Sequence, residues 1–167
     1  MSLTKRSAVR AASAPPARNK RGCAMKKLIL ASASPRRSEI LRAAGIRFEV
    51  RPTDTDESVP AGTPTSEAVC IIAGRKCRAA ATAAERPAAG DEIYILAADT
   101  AVECYGETLG KPHDRDDARR MLSMLAGCGS AVHTGFSVMR LSDGAEASGV
   151  ETTYVTFDGM SADEIED

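Results

Sequence analysis

Several small groups of residues along this chain have the types and spacing that phosphate chemistry needs. The first lies near the start, where the apolar run Leu28-Ile29-Leu30-Ala31 ends in Ser32-Ala33-Ser34-Pro35-Arg36-Arg37. This reads as a buried strand turning into a helix. Ser34 is a natural N-cap, and Pro35 suits the first helical position, where its missing N–H costs nothing. Backbone donors, two hydroxyls and two guanidinium groups would then collect at one helix N-terminus, where a phosphate binds readily. A capped surface helix with two solvated arginines has the same sequence signature, and taken alone it is about as good a reading.

The other groups are Asp56-Glu57, Lys76, Asp99 and Gly110-Lys111-Pro112. Asp56-Glu57 could supply metal-binding carboxylates, although a charged loop is usually only solvated. Lys76 lies among alanines on an expected helix, where a snorkelling surface lysine is the ordinary outcome. Asp99 is the most suggestive single residue. It follows the six-residue apolar run Ile93–Ala98, which puts a carboxylate at the C-terminal edge of a strand, where open α/β sheets build their sites. A turn-forming Asp at a strand end is the common alternative. As a set the groups share a purpose: cations neutralise a phosphate chain while carboxylates hold a divalent metal and orient a water.

The elements that must position them follow from periodicity and punctuation. After the first strand, Arg36–Ala44 reads as a helix stopped by Gly45, and Ile46–Arg51 as a second strand. Pro52–Pro64 is polar and turn-rich, a loop crowded with Asp54, Asp56 and Glu57. Thr65 or Ser66 caps a helix from about Glu67 to Ala84, with Val69, Ile72, Ala73, Lys76 and Ala80 at helical spacing. The apolar strand 93–98 ends at Asp99-Thr100, with Ala101–Tyr105 continuing as strand. A turn at Gly106-Glu107 then leads through Leu109–Pro112 into a loop. Asp114 caps a helix over Arg115–Ala126, its apolar face formed by Ala118, Met121, Leu122 and Leu125. Strands over about Ala131–Arg140 and Gly149–Phe157 are joined by Ser142-Asp143-Gly144, and a Ser161-x-x-Glu164 capping box opens a last helix. Strands and helices mixed in this order imply an α/β fold with a mixed sheet.

Composition sets the outer limits. A chain of 167 residues fits one domain with a real core, and six aromatics among 43% apolar residues point to a core of Ala, Val, Leu and Ile. No apolar run approaches the ~20 residues of a membrane span. The net charge of −1 hides an asymmetry: residues 1–27 carry eight Lys and Arg and no acid, leaving a net of −9 for 28–167. An acidic body that binds a polyanion must concentrate its basic residues or use a divalent metal. Residues 1–24, rich in Ala, Ser, Pro and Arg, are expected to be a disordered basic extension, with a transit peptide or an upstream extension as other readings. Six charges without aromatics give little reason to expect nucleic acid as a partner. The five cysteines are odd in number, scattered and without a C-x-x-C pair, so free thiols in a reducing compartment, the cytoplasm, are expected.

Ser32-Ala33-Ser34-Pro35-Arg36-Arg37, Asp56-Glu57, Lys76, Ala98-Asp99-Thr100 and Gly110-Lys111-Pro112, in that order, resemble the Maf family. The later segments Met121-Leu122, Leu125-Ala126-Gly127, Thr134-Gly135 and Thr153–Phe157 fit the same pattern, so the resemblance covers about residues 27–167. Members are described as septum-formation inhibitors and as nucleoside triphosphate pyrophosphatases. The resemblance implies a mixed, twisted α/β sheet with flanking helices and a nucleotide cleft of the Maf/ITPase-like kind, occupying residues 25–167. It implies hydrolysis of a nucleoside triphosphate between its α and β phosphates, with a divalent metal cation, Mg²⁺ or Mn²⁺, as cofactor.

Carried over by position, Asp99 would be the proton acceptor that activates water or helps hold the metal, and Glu57 would assist metal binding. Ser32, Ser34, Arg36, Arg37, Lys76 and Lys111 would serve the triphosphate. Arg36 and Thr100 match the positions of the branch preferring dTTP and UTP, including modified pyrimidines. Ser130 stands where the family usually has histidine. The family's further Asp-Lys-Ala-Gly-x-Tyr-Gly-Ile-Gln-Gly segment and closing strands are not in this sequence, and with them goes the base-reading glutamine. A fold short of its C-terminal elements is therefore expected, its exposed edge left bare or covered by a partner such as a second copy. The leading expectation is a house-cleaning nucleotide pyrophosphatase. The alternative is a non-catalytic, nucleotide-binding regulator of cell division, and a basic-tailed nucleic-acid binder is a weaker third.

Overall fold

The computed structural model describes residues 26–87 and 90–166. The expected basic extension, residues 1–24, lies outside them. Ten elements follow in order: β1 (Lys26–Leu30), α1 (Pro35–Ala43), β2 (Glu49–Val50), α2 (Thr65–Ala83), β3 (Glu92–Cys104), β4 (Glu107–Leu109), α3 (Arg115–Leu125), β5 (Gly129–Arg140), β6 (Glu146–Thr156) and α4 (Ala162–Glu166). The strands form one mixed sheet in the order β2-β1-β3-β5-β6, with β4 paired to β3. β1 runs parallel to β2 and β3, whereas β4, β5 and β6 pair antiparallel. The mixed α/β fold is the one expected.

One helix organises the core. α2 packs one face of the sheet against β3, β5 and β6. Its buried side are Thr65, Ala68, Val69, Ile72, Ala73, Gly74, Cys77 and Ala80, mostly small residues. Ile29, Ala31, Cys77, Ala80, Ile95 and Ala97 form a contiguous core beneath it. Small side chains contribute little burial energy each, but they let helix and sheet backbones come close. The closest approach is at Gly135 of β5. A Cβ there would lie 2.5 Å from the Val69 carbonyl carbon and oxygen and 2.6 Å from the Cys70 nitrogen.

Several elements differ from their expected form. Residues 93–105 do not break at Asp99: β3 runs unbroken for 13 residues, because β5 pairs with it continuously from Tyr94 to Glu103. The strand expected over 46–51 shrinks to Glu49–Val50, whose residues pair in register with Ile29 and Leu30 of β1. Glu107–Leu109, read as turn and loop, is a short strand that closes a hairpin on β3. Its turn puts Tyr105 at φ 51 and Gly106 at φ 77. α2 begins at Thr65 with Pro64 as N-cap, so neither Thr65 nor Ser66 caps it. α3 buries no residue fully, and its expected apolar face leaves Leu122 exposed. Asp114 caps α3 as expected, and Ser161 and Glu164 form the reciprocal bonds of a capping box. The four described cysteines are free thiols. Among the described residues no helix is long and apolar enough to cross a membrane.

Gly135→Ala tests the close approach. Its Cβ would meet backbone, which cannot rotate away, so the cost reaches at least the upper part of the ~1–3 kcal/mol typical of overpacking. Thermal melting should show a loss of about 6 °C or more. A variant that melts with the wild type would mean that α2 does not sit this close to β5.

Candidate functional site

The sheet leaves an opening that the strand pairing itself defines. On one edge of β3, β1 pairs with residues 92–96 and β4 with residues 102–104. Residues 97–101 lie between these two partners, and the chain leaving β1 turns away there into α1. The result is a cleft of about 790 Å³ lined by the 31–34 turn, Arg37, Glu57, Lys76, Asp99, Thr100 and the Gly110-Lys111 segment. Asp99 is thus not at a strand terminus. It sits inside a continuous strand, at the point where the parallel neighbour ends, which keeps the physical logic of a switch-point site while changing its local form.

Two faces of β3 contribute separately, because neighbouring side chains on a strand alternate. Asp99 lies on the α2 side, and Lys76 of α2 donates to its Oδ1 at 2.8 Å. The same ammonium lies 2.6 Å from Oε1 of Glu57, which reaches in from the 52–58 loop. The side chain of Lys76 is only 13% exposed and that of Asp99 only 17%, so this is no surface pair. Burial is the largest single influence on Lys76 and lowers its pKa; the bonds and charges of Asp99 and Glu57 together outweigh it and leave the pKa raised. Glu57 is held below the ordinary carboxylate range, first by the hydrogen bond from Lys76.

Thr100 points to the other face and meets Arg37. The guanidinium donates to Ser32 Oγ at 2.9 Å and to Thr100 Oγ1 at 3.2 Å, tying α1 to β1's end and to β3. Ser32 Oγ also accepts from the Ser34 N–H at 3.2 Å. Ser34 occupies the N-cap position, but its side chain makes no capping bond. The residue lines the cleft. Burial lowers the pKa of Arg37, partly opposed by the charge of Asp99.

Eight of the nine expected site residues therefore line one cleft: Ser32, Ser34, Arg37, Glu57, Lys76, Asp99, Thr100 and Lys111. Arg36 is exposed on the first turn of α1 and is not part of the lining. The Asp56-Glu57 pair divides its work. Asp56 caps its own loop, accepting from Ser58 N at 2.9 Å and Ser58 Oγ at 2.7 Å, while Glu57 faces the cleft. Sequence reasoning did not single out Arg75 or Thr53, and it noted Thr134 only as part of the family pattern, with no role in the site. Arg75 donates to the carbonyls of Asp56 (3.3 Å) and Ser58, the two neighbours of Glu57. Thr53 donates to the Lys76 carbonyl, and Thr134 bonds Thr100 at 3.1 Å. These are contacts between distant segments and carry no local signal, although Arg75 directly precedes Lys76.

The family model described as Maf-like protein matches residues 27–167. The chain belongs to the Maf family. The dTTP/UTP pyrophosphatase of Anaeromyxobacter dehalogenans (strain 2CP-1 / ATCC BAA-258) is 44% identical over 142 residues, covering 84% of this chain and 68% of that protein. The dTTP/UTP pyrophosphatase of Moorella thermoacetica is 41% identical over 142 residues, covering 85% and 70%. The match thus spans about two thirds of the length of these Maf relatives. A solved nucleoside-triphosphatase / dITP/XTP pyrophosphatase from Mycobacterium abscessus aligns at a TM-score of 0.41 and 14% identity, over 78% of this chain and 73% of that one, too distant to inform the site.

The donor set of this Maf cleft suits a hard dication. Two carboxylates converge on one cationic atom, and magnesium-type ions need only one or two carboxylates beside substrate phosphates. Among the described residues no group of three or more His, Cys, Asp or Glu is placed to hold a metal alone.

Two measurements check this geometry. Arg75→Ala should speed amide exchange at Ser58 about tenfold or more, since hydrogen bonds from a charged donor contribute about 1.5–3 kcal/mol; unchanged exchange would remove Arg75 as the loop's anchor. Because the pKa of Glu57 is depressed on folding, its contribution is present above the ordinary glutamate value of about 4.3 and is lost as pH falls through the lower folded value. The Tm difference between wild type and Glu57→Gln should hold steady above about pH 5 and close below about pH 4. A difference that persists into acid would exclude the charged contact with Lys76.

Proposed function

We propose that this protein is a nucleoside triphosphate pyrophosphatase, cleaving between the α and β phosphates to give a nucleoside monophosphate and pyrophosphate. The observation that carries the reading is the largely buried Asp99 carboxylate facing a cation-lined cleft of nucleotide size, in a Maf-family chain. Its relatives' names point to dTTP and UTP as substrates, and we extend that preference to this chain.

The residues divide the work as follows. Ser34, the turn after β1 and Lys111 receive the phosphate chain from one side, and Arg37 crosses the cleft wall. The fixed bonds from Arg37 to Ser32 and Thr100 hold that guanidinium in place before substrate arrives, so little reorganisation accompanies charge development. Asp99 accepts the proton of the attacking water. Lys76, donating to Asp99 Oδ1 at 2.8 Å, holds that carboxylate in place until substrate enters. Glu57 and Asp99 would hold a divalent cation, Mg²⁺ or Mn²⁺, which when bound neutralises phosphate charge and lowers the pKa of water. Free thiols fit the cytoplasm, where the nucleotide pool resides.

Asp99→Asn keeps the shape and an acceptor for Lys76 but removes the base. Pyrophosphate release from dTTP or UTP with Mg²⁺ should fall about 10²–10⁴-fold, the usual contribution of general-base catalysis. Equal rates in wild type and variant would overturn the role of Asp99. Nucleotide-dependent thermal stabilisation without turnover in the wild type would instead return the chain to the non-catalytic, regulatory reading.

A further inference from the structure

In the structure the two carboxylates best placed for a metal already hold a cation, the ammonium of Lys76. Its Nζ lies 2.8 Å from Asp99 Oδ1 and 2.6 Å from Glu57 Oε1. Lys76 also lines the cleft beside Arg37, Ser34 and Lys111, where a phosphate chain would lie. A lysine has a compact charge on a flexible four-carbon stem, so the same ammonium can serve either set of oxygens.

We infer that Lys76 is a built-in counter-ion that competes with the divalent cation. Resting between Asp99 and Glu57, it repels an entering dication and occupies the oxygens that the dication needs. When a phosphate chain enters, its oxygens offer Lys76 a new set of acceptors. Lys76 then moves onto the phosphates and frees the carboxylates. Metal and substrate binding are thereby coupled through one side chain. The free protein binds the cation weakly and does not keep a loaded, water-activating site without substrate. Reciprocity follows from linkage: whatever draws Lys76 onto phosphate strengthens cation binding, and cation binding releases Lys76 toward phosphate. The loop anchored by Arg75 keeps Glu57 in reach, so the exchange involves the lysine and not the carboxylates.

This inference rests on reading Asp99 and Glu57 as the cation's ligands, and its test is a binding measurement that does not depend on turnover. Mn²⁺ is titrated into the full chain without nucleotide, following free Mn²⁺ by electron paramagnetic resonance. Lys76→Met should bind Mn²⁺ at least tenfold more tightly than wild type. Lys76→Arg, which keeps a cation there, should bind no more tightly than wild type, and adding Glu57→Gln to Lys76→Met should remove the gain. In the wild type, saturating Mn²⁺ should raise the acetylation rate of Lys76 severalfold, read by mass spectrometry, while Lys27 is unchanged. Equal or weaker binding by Lys76→Met, including no binding, overturns the inference if the variant melts cooperatively. If it does not fold, an acetylation rate of wild-type Lys76 that Mn²⁺ leaves unchanged or lowers overturns it. Pyrophosphatase activity alongside either result would leave the proposed function standing, whereas tighter binding by Lys76→Met in a protein without turnover would remove only the catalytic reading.

Discussion

A lysine ammonium that is nearly out of water must sit against carboxylates, and the site depends on that constraint. Lys76 has only 13% of its side chain exposed, and Asp99 only 17%. Desolvating either charge alone is costly, and removing one partner from such a pair typically costs about 3–5 kcal/mol. The two charges are therefore held together, and with them α2, β3 and the loop of Glu57. Everything that lets this pair form is a requirement on the fold: a helix close to the sheet, a strand that continues unbroken through Asp99, and a gap in the pairing on one edge beside it.

The closeness comes from small residues. Asp99 pairs in register with Gly135, and it is at Gly135 that the α2 backbone touches the sheet. Alanines, Gly74 and Cys77 on the buried side of α2 keep the helix low along its length. A bulkier interface would raise the helix and carry the Lys76 stem away from β3. The packing that looks poorest in burial energy is thus what makes the charged contact possible.

Two networks then meet in the cleft without sharing a side chain. One side carries Lys76, Asp99 and Glu57. The other carries Arg37, Ser32, Thr100 and Thr134. Strand alternation keeps them apart, because Asp99 and Thr100 point to opposite faces of β3. Cations thus line the cleft from both sides while the carboxylates stay grouped on one. In a chain that is acidic over most of its length, this cleft concentrates Lys and Arg locally, which favours anions there.

Much of this was legible in the residues. The helices over 35–43, 65–83 and 115–125, the glycine stops and the Asp114 cap follow from periodicity and capping chemistry, which are local. So does the order of the elements, and hence the mixed α/β class. Motif spacing and the family resemblance together picked out nine residues, of which all but Arg36 line one cleft. Tertiary structure decided the rest. Whether Asp99 ended a strand or sat within one depended on how far β5 pairs, and β4 exists only because β3 is there to receive it. Asp56 and Glu57 are chemically alike and adjacent, yet a loop turn gives one to Ser58 and the other to Lys76. Lys76 read alone was an ordinary surface lysine. Its burial between two carboxylates depends on residues 19 and 23 positions away, and no local pattern encodes an ion pair closed across that distance.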